Sequence, residues 1–131
     1  MERAPRFVFA SDSLKGTLSS ADAAHLLGAA AERHFPGCSW VAVPMADGGE
    51  GTVDALLAAC GGEKIRAVVE DPLGRPVEAS YAMLPGGRAV IEMAAASGLT
   101  LLAPGERDPR ATSSYGTGQL ILDALTRGAR D

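Results

Sequence analysis

The apolar positions follow two regimes, with the change at Gly61-Gly62. Before that point they come in unbroken runs and helical stripes. Phe7-Val8-Phe9-Ala10 and Trp40-Val41-Ala42-Val43 are continuous apolar runs, the pattern of strands buried on both faces in a parallel sheet. Between them, Ala24, Leu27 and Ala31 mark the inner face of a helix. Ser19 or Ser20 caps it, and Phe35-Pro36-Gly37 stops it after His34. Val53, Leu56, Leu57 and Cys60 repeat at helical spacing in a second, shorter helix. Strand, helix, strand, helix predicts a parallel α/β layout, and a right-handed crossover makes the two strands neighbours.

After the glycine pair the period becomes two. Ile65, Ala67 and Val69 alternate with Arg66, Val68 and Glu70, and Val77, Ala79, Tyr81 and Met83 alternate with Glu78, Ser80 and Ala82. This predicts half-exposed antiparallel strands joined through Asp71-Pro72-Leu73-Gly74-Arg75-Pro76. Pro85-Gly86-Gly87-Arg88 turns into a third run, Ala89-Val90-Ile91, which leads into Glu92 and a small-residue helix or turn ending at Leu99. A Glu at a buried strand end needs a partner, a substrate or an arginine. A final helix carries Leu120, Ile121, Ala124 and Leu125 inward. Gly128 terminates it, and no strand follows before Asp131, so the chain is expected to be the N-terminal part of a longer protein. Such a piece should expose apolar strand surface and tend to self-associate.

Composition narrows the function classes. Hydrophobic residues make up 47% of the 131, enough for a core, but aromatics only 5%, so the core is built from Ala, Val, Leu and Ile. A net charge of −4 without a basic stripe argues against nucleic-acid binding. Cys38 and Cys60 have no metal or C-x-x-C spacing and read as reduced thiols. The N-terminus lacks a signal peptide's apolar region, and no apolar run is long enough to span a membrane, so the expected location is cytoplasmic. His25 and His34 sit in or at the end of the first helix, without a catalytic neighbour.

The polar chemistry sits where strands give way to helices. Pro44-Met45-Ala46-Asp47-Gly48-Gly49-Glu50-Gly51-Thr52 joins the second strand to the second helix, with three glycines and two carboxylates in five residues. Glycines let the backbone approach a ligand, and the helix start offers N–H groups to an anion. Carboxylates repel phosphate, so Asp47 and Glu50 suit a site that also holds Mg²⁺ or accepts a proton from a substrate hydroxyl. A tight turn with Glu50 complementing the helix dipole explains the same residues structurally. Ser11-Asp12-Ser13-Leu14-Lys15-Gly16-Thr17 follows the first strand. Both loops therefore lie at strand C-termini, the edge where open parallel sheets bind ligands. Lys15 is one of two lysines against ten arginines, a weak sign that a compact ammonium is wanted there. Thr112-Ser113-Ser114-Tyr115-Gly116-Thr117-Gly118 opens the last helix with hydroxyls and glycines, which suit an anion or simple capping.

Four segments in this order resemble bacterial glycerate kinases of the two-domain α/β type. They are Ala10 to Ser19, Val43 to Thr52, Ile91 to Leu99 and Thr112 to Leu120. Ser11 and Leu14 depart from the family, which commonly has Pro and Phe there. The resemblance implies a Rossmann-like parallel α/β segment over residues 1–66, followed over 67–131 by part of a second, mixed α/β domain inserted into it. It implies ATP-dependent phosphorylation of D-glycerate with Mg²⁺. Asp47 would orient or deprotonate the glycerate hydroxyl, Lys15 would neutralise phosphate, and Asp12 or Glu50 would hold Mg²⁺. Ser13, the Gly48, Gly49 and Gly51 amides, Thr52 and Glu92 would bind substrate or phosphate. So would Ser97, Ser114, Gly116, Thr117 and Gly118. Two other readings compete, a non-catalytic anion- or nucleotide-binding module and a phosphohydrolase using Asp47.

Overall fold

In the computed structural model, which describes residues 4–14 and 17–131, the chain divides into two compact units, Met1–Gly51 and Thr52–Asp131. The change of hydrophobic period lies inside the second unit, where its first strand begins.

Unit 1 is a strand–helix–strand. β1 (Arg6–Phe9) and β2 (Ser39–Ala42) are parallel, with Phe7 opposite Trp40 and Val8 opposite Val41. The parallel, neighbouring arrangement expected from the crossover is present. The strands are not buried on both faces as the apolar runs suggest: both alternate between exposed and half-buried residues, and Val8 is 61% exposed. Within unit 1 the two-stranded sheet has one helix packed against it and, among the described residues, no second layer of its own, whatever its composition.

That helix is α1 (Ser20–His34). Ser19 caps it, accepting from the Asp22 amide at 3.1 Å and donating to the Asp22 carboxylate at 2.7 Å. The buried stripe is Ala23, Ala24, Gly28 and Ala31, while Leu27, expected inward, is 45% exposed. The stripe consists of small residues because the Trp40 indole lies across it. A Cβ on Gly28 would stand 2.5 Å from Trp40 Cε2, and His25 meets the same ring edge-on.

Unit 2 is a three-stranded antiparallel sheet with helices on both faces. β3 (Glu63–Glu70) pairs with β4 (Pro76–Leu84) along its full length, and β4 pairs with β5 (Arg88–Val90). The antiparallel hairpin matches the period-two reading. The expected half-exposure fails on β4, where Ala79 and Tyr81 and also Ala82 and Leu84 are buried. One face, with Ile65, Val69, Ala79 and Tyr81, packs on α3 (Met93–Ser97) and α4 (Tyr115–Thr126) through Ala96, Leu120 and Ala124. The other, with Ala82 and Leu84, packs on α2 (Thr52–Cys60) through Val53, Leu56 and Leu57.

In α4, Leu120 and Ala124 are buried, but Ile121 and Leu125 are 48% and 55% exposed rather than inward. With Ala89, Ile91 and Ala129 they line an apolar groove of about 330 Å³. Gly128, at φ +96°, ends the helix. The last residues then turn onto β5: the Arg130 amide donates to the Gly87 carbonyl at 2.7 Å and the Ala89 amide to the Asp131 carbonyl at 2.8 Å. Two 3-10 turns, Leu99–Leu101 and Pro104–Glu106, connect α3 to the segment before α4. Among the described residues no helix is long and apolar enough to cross a membrane.

Candidate functional site

The loops after β1 and β2 leave the same end of the parallel pair. The last ladder bond runs from the Val43 amide to the Phe9 carbonyl at 2.9 Å, and beyond it the two chains have no backbone bond to each other among the described residues. In the first loop the Asp12 carboxylate accepts the Ser13 amide at 2.6 Å. Leu14 and Leu18 exchange backbone bonds of 2.9 and 3.1 Å, an antiparallel bridge just before α1. Lys15 lies outside the described residues.

In the second loop Asp47 Oδ1 accepts the Gly49 amide at 2.9 Å, an Asx-type turn that fixes the carboxyl group against its own backbone. Gly48 and Gly51 have φ of +97° and +91°, a left-handed conformation that side chains resist. Among the described residues nothing lies within 4 Å of where their Cβ atoms would stand. The glycines thus shape the turn and leave its backbone open on that side. Asp12, Asp47 and Glu50 are all exposed.

Among the described residues one side chain joins these loops. Ser20, the first residue of α1, donates its hydroxyl to the Ser11 carbonyl at 2.7 Å and accepts the Met45 amide at 3.1 Å. Sequence reasoning treats Ser20 only as a possible cap. The capping signal is spent on Ser19, and nothing local marks the second serine as a bridge. Next to it, the Ser11 hydroxyl is buried and has no hydrogen-bond partner among the described residues.

In unit 2 Glu92, Ser97 and Thr117, singled out from the sequence, have partners of their own. Glu92 Oε1 accepts the Val53 amide at 2.7 Å, so the partner its position demands is the first turn of α2. A carboxylate there also opposes the positive end of the helix dipole. Thr52 opens the same helix. The Ser97 and Thr117 hydroxyls share a 2.6 Å hydrogen bond, and Thr117 Oγ1 lies 3.4 Å from the Met93 carbonyl. That contact holds α3 to α4. Gly116 is buried, and a Cβ there would overlap the Glu70 carbonyl oxygen. Ser114 and Gly118 are exposed, and the Ser114 side chain makes no capping bond.

The strongest ionic cluster in this unit was not singled out from sequence. Asp71 is buried at the β3–β4 turn, where it accepts the Leu73 and Arg75 amides and binds Arg75 Nε at 2.6 Å. Arg75 reaches on to Glu106 at 2.8 Å and to the Leu101 carbonyl. Burial pushes the Asp71 carboxyl up, but the two amides and the guanidinium outweigh it and hold the group below its ordinary range. On the helix side, the Tyr81 hydroxyl donates to Asp123 at 2.7 Å. Burial, reinforced by that carboxylate, pushes Tyr81 up to about 12. Both arrangements tie fold elements together.

Among the described residues no three His, Cys, Asp or Glu side chains stand together as a metal-binding group. Mg²⁺ requires fewer protein ligands: one or two carboxylates beside substrate phosphates and retained waters. The exposed carboxylates of Asp12 and Glu50 are of that type.

Residues 7–131 match the model of the glycerate kinase family. The chain is 48% identical over 125 residues to Glycerate 2-kinase of Escherichia coli (strain K12), covering 95% of this chain and 33% of that protein. To Glycerate kinase of Bacillus subtilis (strain 168) it is 47% identical, again over 95% of this chain and 33% of that protein. A crystal structure described as "putative glycerate kinase 2" from Salmonella typhimurium LT2 superposes with a TM-score of 0.75 at 42% identity, over 96% of this chain and 34% of that one. The chain spans about a third of the length of the curated relatives it matches.

Proposed function

Because the chain belongs to the glycerate kinase family, we propose that it serves the ATP-dependent phosphorylation of D-glycerate, with the reacting groups drawn from the two loops of unit 1. The observation that carries this reading is the pair of carboxylate-bearing loops at one end of a parallel strand pair, tied to each other through Ser20. Ligands of open parallel sheets bind at that end.

Phosphoryl transfer asks a protein mainly for positioning and charge neutralisation. Asp47 suits the substrate hydroxyl: the Gly49 amide anchors Oδ1, which leaves Oδ2 to orient the hydroxyl and take its proton. Lys15 is assigned to phosphate oxygens by its place in the motif. Asp12 and Glu50 would hold Mg²⁺, which when bound neutralises phosphate charge. The Ser13 hydroxyl and the Gly48 and Gly51 amides are donors for carboxylate or phosphate oxygens, whereas the Gly49 amide is bound to Asp47 Oδ1. In unit 2, Ser114 and Gly118 are the residues of the matching motif most open to a ligand, whereas Glu92, Ser97, Gly116 and Thr117 are engaged in the fold.

The test starts with binding. Calorimetric titration with D-glycerate and with MgATP asks whether each ligand binds, and a coupled ADP assay with phosphoglycerate detection asks whether phosphate moves. In a full-length enzyme containing this segment, Asp47→Asn keeps size and hydrogen bonding but removes the base, so kcat should fall on the order of 100- to 10,000-fold with little change in ATP affinity. Weakened MgATP binding that excess Mg²⁺ rescues would make Asp47 a metal ligand. Binding without turnover in that full-length enzyme would favour an anion- or nucleotide-binding module.

A further inference from the structure

The two loops that carry Asp12 and Asp47 are held in a common arrangement by one hydroxyl. Past Phe9 and Val43 the parallel ladder is exhausted, and each strand runs on into its own loop. Ser20 stands between them. A serine hydroxyl has one proton and two lone pairs. The Ser11 carbonyl can only accept and the Met45 amide can only donate, so the direction of both bonds is fixed. Ser11 immediately precedes Asp12, and Met45 lies two residues before Asp47. The bridge is anchored on a 15-residue helix whose own cap is supplied separately by Ser19 and Asp22. Ser20 is therefore not needed to start the helix, and its bonds serve the loops.

We infer that Ser20 is a positioning residue: its hydroxyl sets the spacing of the Asp12 and Asp47 loops and so the geometry in which they meet a substrate. The functional half of this inference rests on the kinase reading above; the structural half stands without it. Misplacing a reacting group by about 1 Å costs on the order of 100-fold. Removing the bridge should therefore lower kcat/KM for D-glycerate by roughly 10- to 100-fold.

The experiment compares wild type, Ser20→Ala and Ser20→Thr by hydrogen exchange and by ligand titration and turnover. Thr keeps the hydroxyl at a helix position that tolerates it. The expected result is that Ser20→Ala loses protection of the Met45 amide by about tenfold or more, the equivalent of one hydrogen bond of roughly 1.4 kcal/mol. D-glycerate binding or turnover weakens in parallel, the helical signal of α1 is retained, and Ser20→Thr restores both. Ser20→Ala with wild-type affinity and turnover would overturn the functional role, even if Met45 loses protection. Unchanged Met45 exchange would overturn the bridge itself. If a full-length enzyme containing this segment binds neither ligand, the kinase reading fails. Met45 exchange then decides the bridge alone: loss in Ser20→Ala with recovery in Ser20→Thr supports it.

Discussion

Gly116 and Gly118 both stand in the first turn of α4, in a motif whose glycines invite an anion-binding interpretation, yet the structure gives them opposite consequences on substitution. A Cβ on Gly116 would overlap the Glu70 carbonyl oxygen, stand 2.9 Å from the Glu70 carbonyl carbon and touch Ala96 Cβ at 3.4 Å. Two of these atoms are backbone at the end of β3, so a rotamer change gives no relief. In Gly116→Ala, α4 must move off β3. That movement strains the 2.7 Å bond in which Gln119 accepts the Glu70 amide, and it loosens Leu120 and Ala124 in the core. Overpacking of this kind costs about 1–3 kcal/mol and a weakened buried hydrogen bond about 1 more. A gain in helix propensity of at most about 1 kcal/mol offsets part of it. The net loss is about 1–4 kcal/mol, at roughly 4–8 °C in Tm per kcal/mol for a unit of this size. Gly118 has nothing within 4 Å of its Cβ position, so Gly118→Ala should be neutral or stabilising by up to about 1 kcal/mol. Thermal unfolding followed by circular dichroism measures both. An unchanged Tm for Gly116→Ala would refute the packing argument and return this glycine to ligand binding.

Ser11→Ala removes a buried hydroxyl without a partner among the described residues and should stabilise the protein by about 1 kcal/mol. A lower denaturation midpoint would show that the hydroxyl is satisfied by solvent or ligand. Glu92→Ala strips the cap from α2 and should cost about 1 kcal/mol, with faster exchange of the Val53 amide, while Glu92→Gln keeps an acceptor and most of the protection. Stability should also depend on pH in a defined direction. Asp71 and Asp123 have carboxyls lowered in the fold, so their contribution is complete above the unfolded carboxylate pKa of about 4 and is lost as pH falls through the folded values. Tyr81, raised to about 12, contributes below its unfolded pKa of about 10, a contribution lost between there and 12. Denaturation midpoints measured across pH should show both limbs. Tyr81→Phe should flatten the alkaline one, and an unchanged alkaline limb would refute the assignment.

The fold was legible where period and chain direction determine it. The apolar runs at 7–10 and 40–43 identified both strands to within one residue, and the crossover rule placed them parallel. The alternation through 65–83 identified the antiparallel hairpin. Burial was less legible, because it depends on what covers a face rather than on what the face contains. Val8 and Val41 read as core and are exposed on a two-stranded sheet. Ala82 and Leu84 sit on the face that alternation assigns to solvent, yet α2 covers them. In α1 the large Leu27 gave way to Gly28, since the Trp40 ring occupies the space a larger side chain would need.

For the candidate site, the same reasoning separates motifs that point outward from motifs consumed by the fold. A hydroxyl, amide or carboxylate near a helix start can serve a ligand or a neighbouring backbone, and composition cannot tell which. The decisive term is the availability of a competing partner at hydrogen-bond distance. Such partners come from parts of the chain that no local window contains: Val53 for Glu92, Ser97 for Thr117, the Glu70 backbone opposite Gly116. Where the partner lies inside the same turn, as with Ser13 for Asp12 and Gly49 for Asp47, one amide engages each carboxylate and leaves it exposed. A carboxylate accepts up to about four hydrogen bonds over its two oxygens, so a single local bond orients the group without exhausting it. Orientation with spare capacity is what a reacting carboxylate requires. On that criterion the loops after β1 and β2, more than the hydroxyl-rich start of α4, are where the phosphoryl transfer proposed above should be sought.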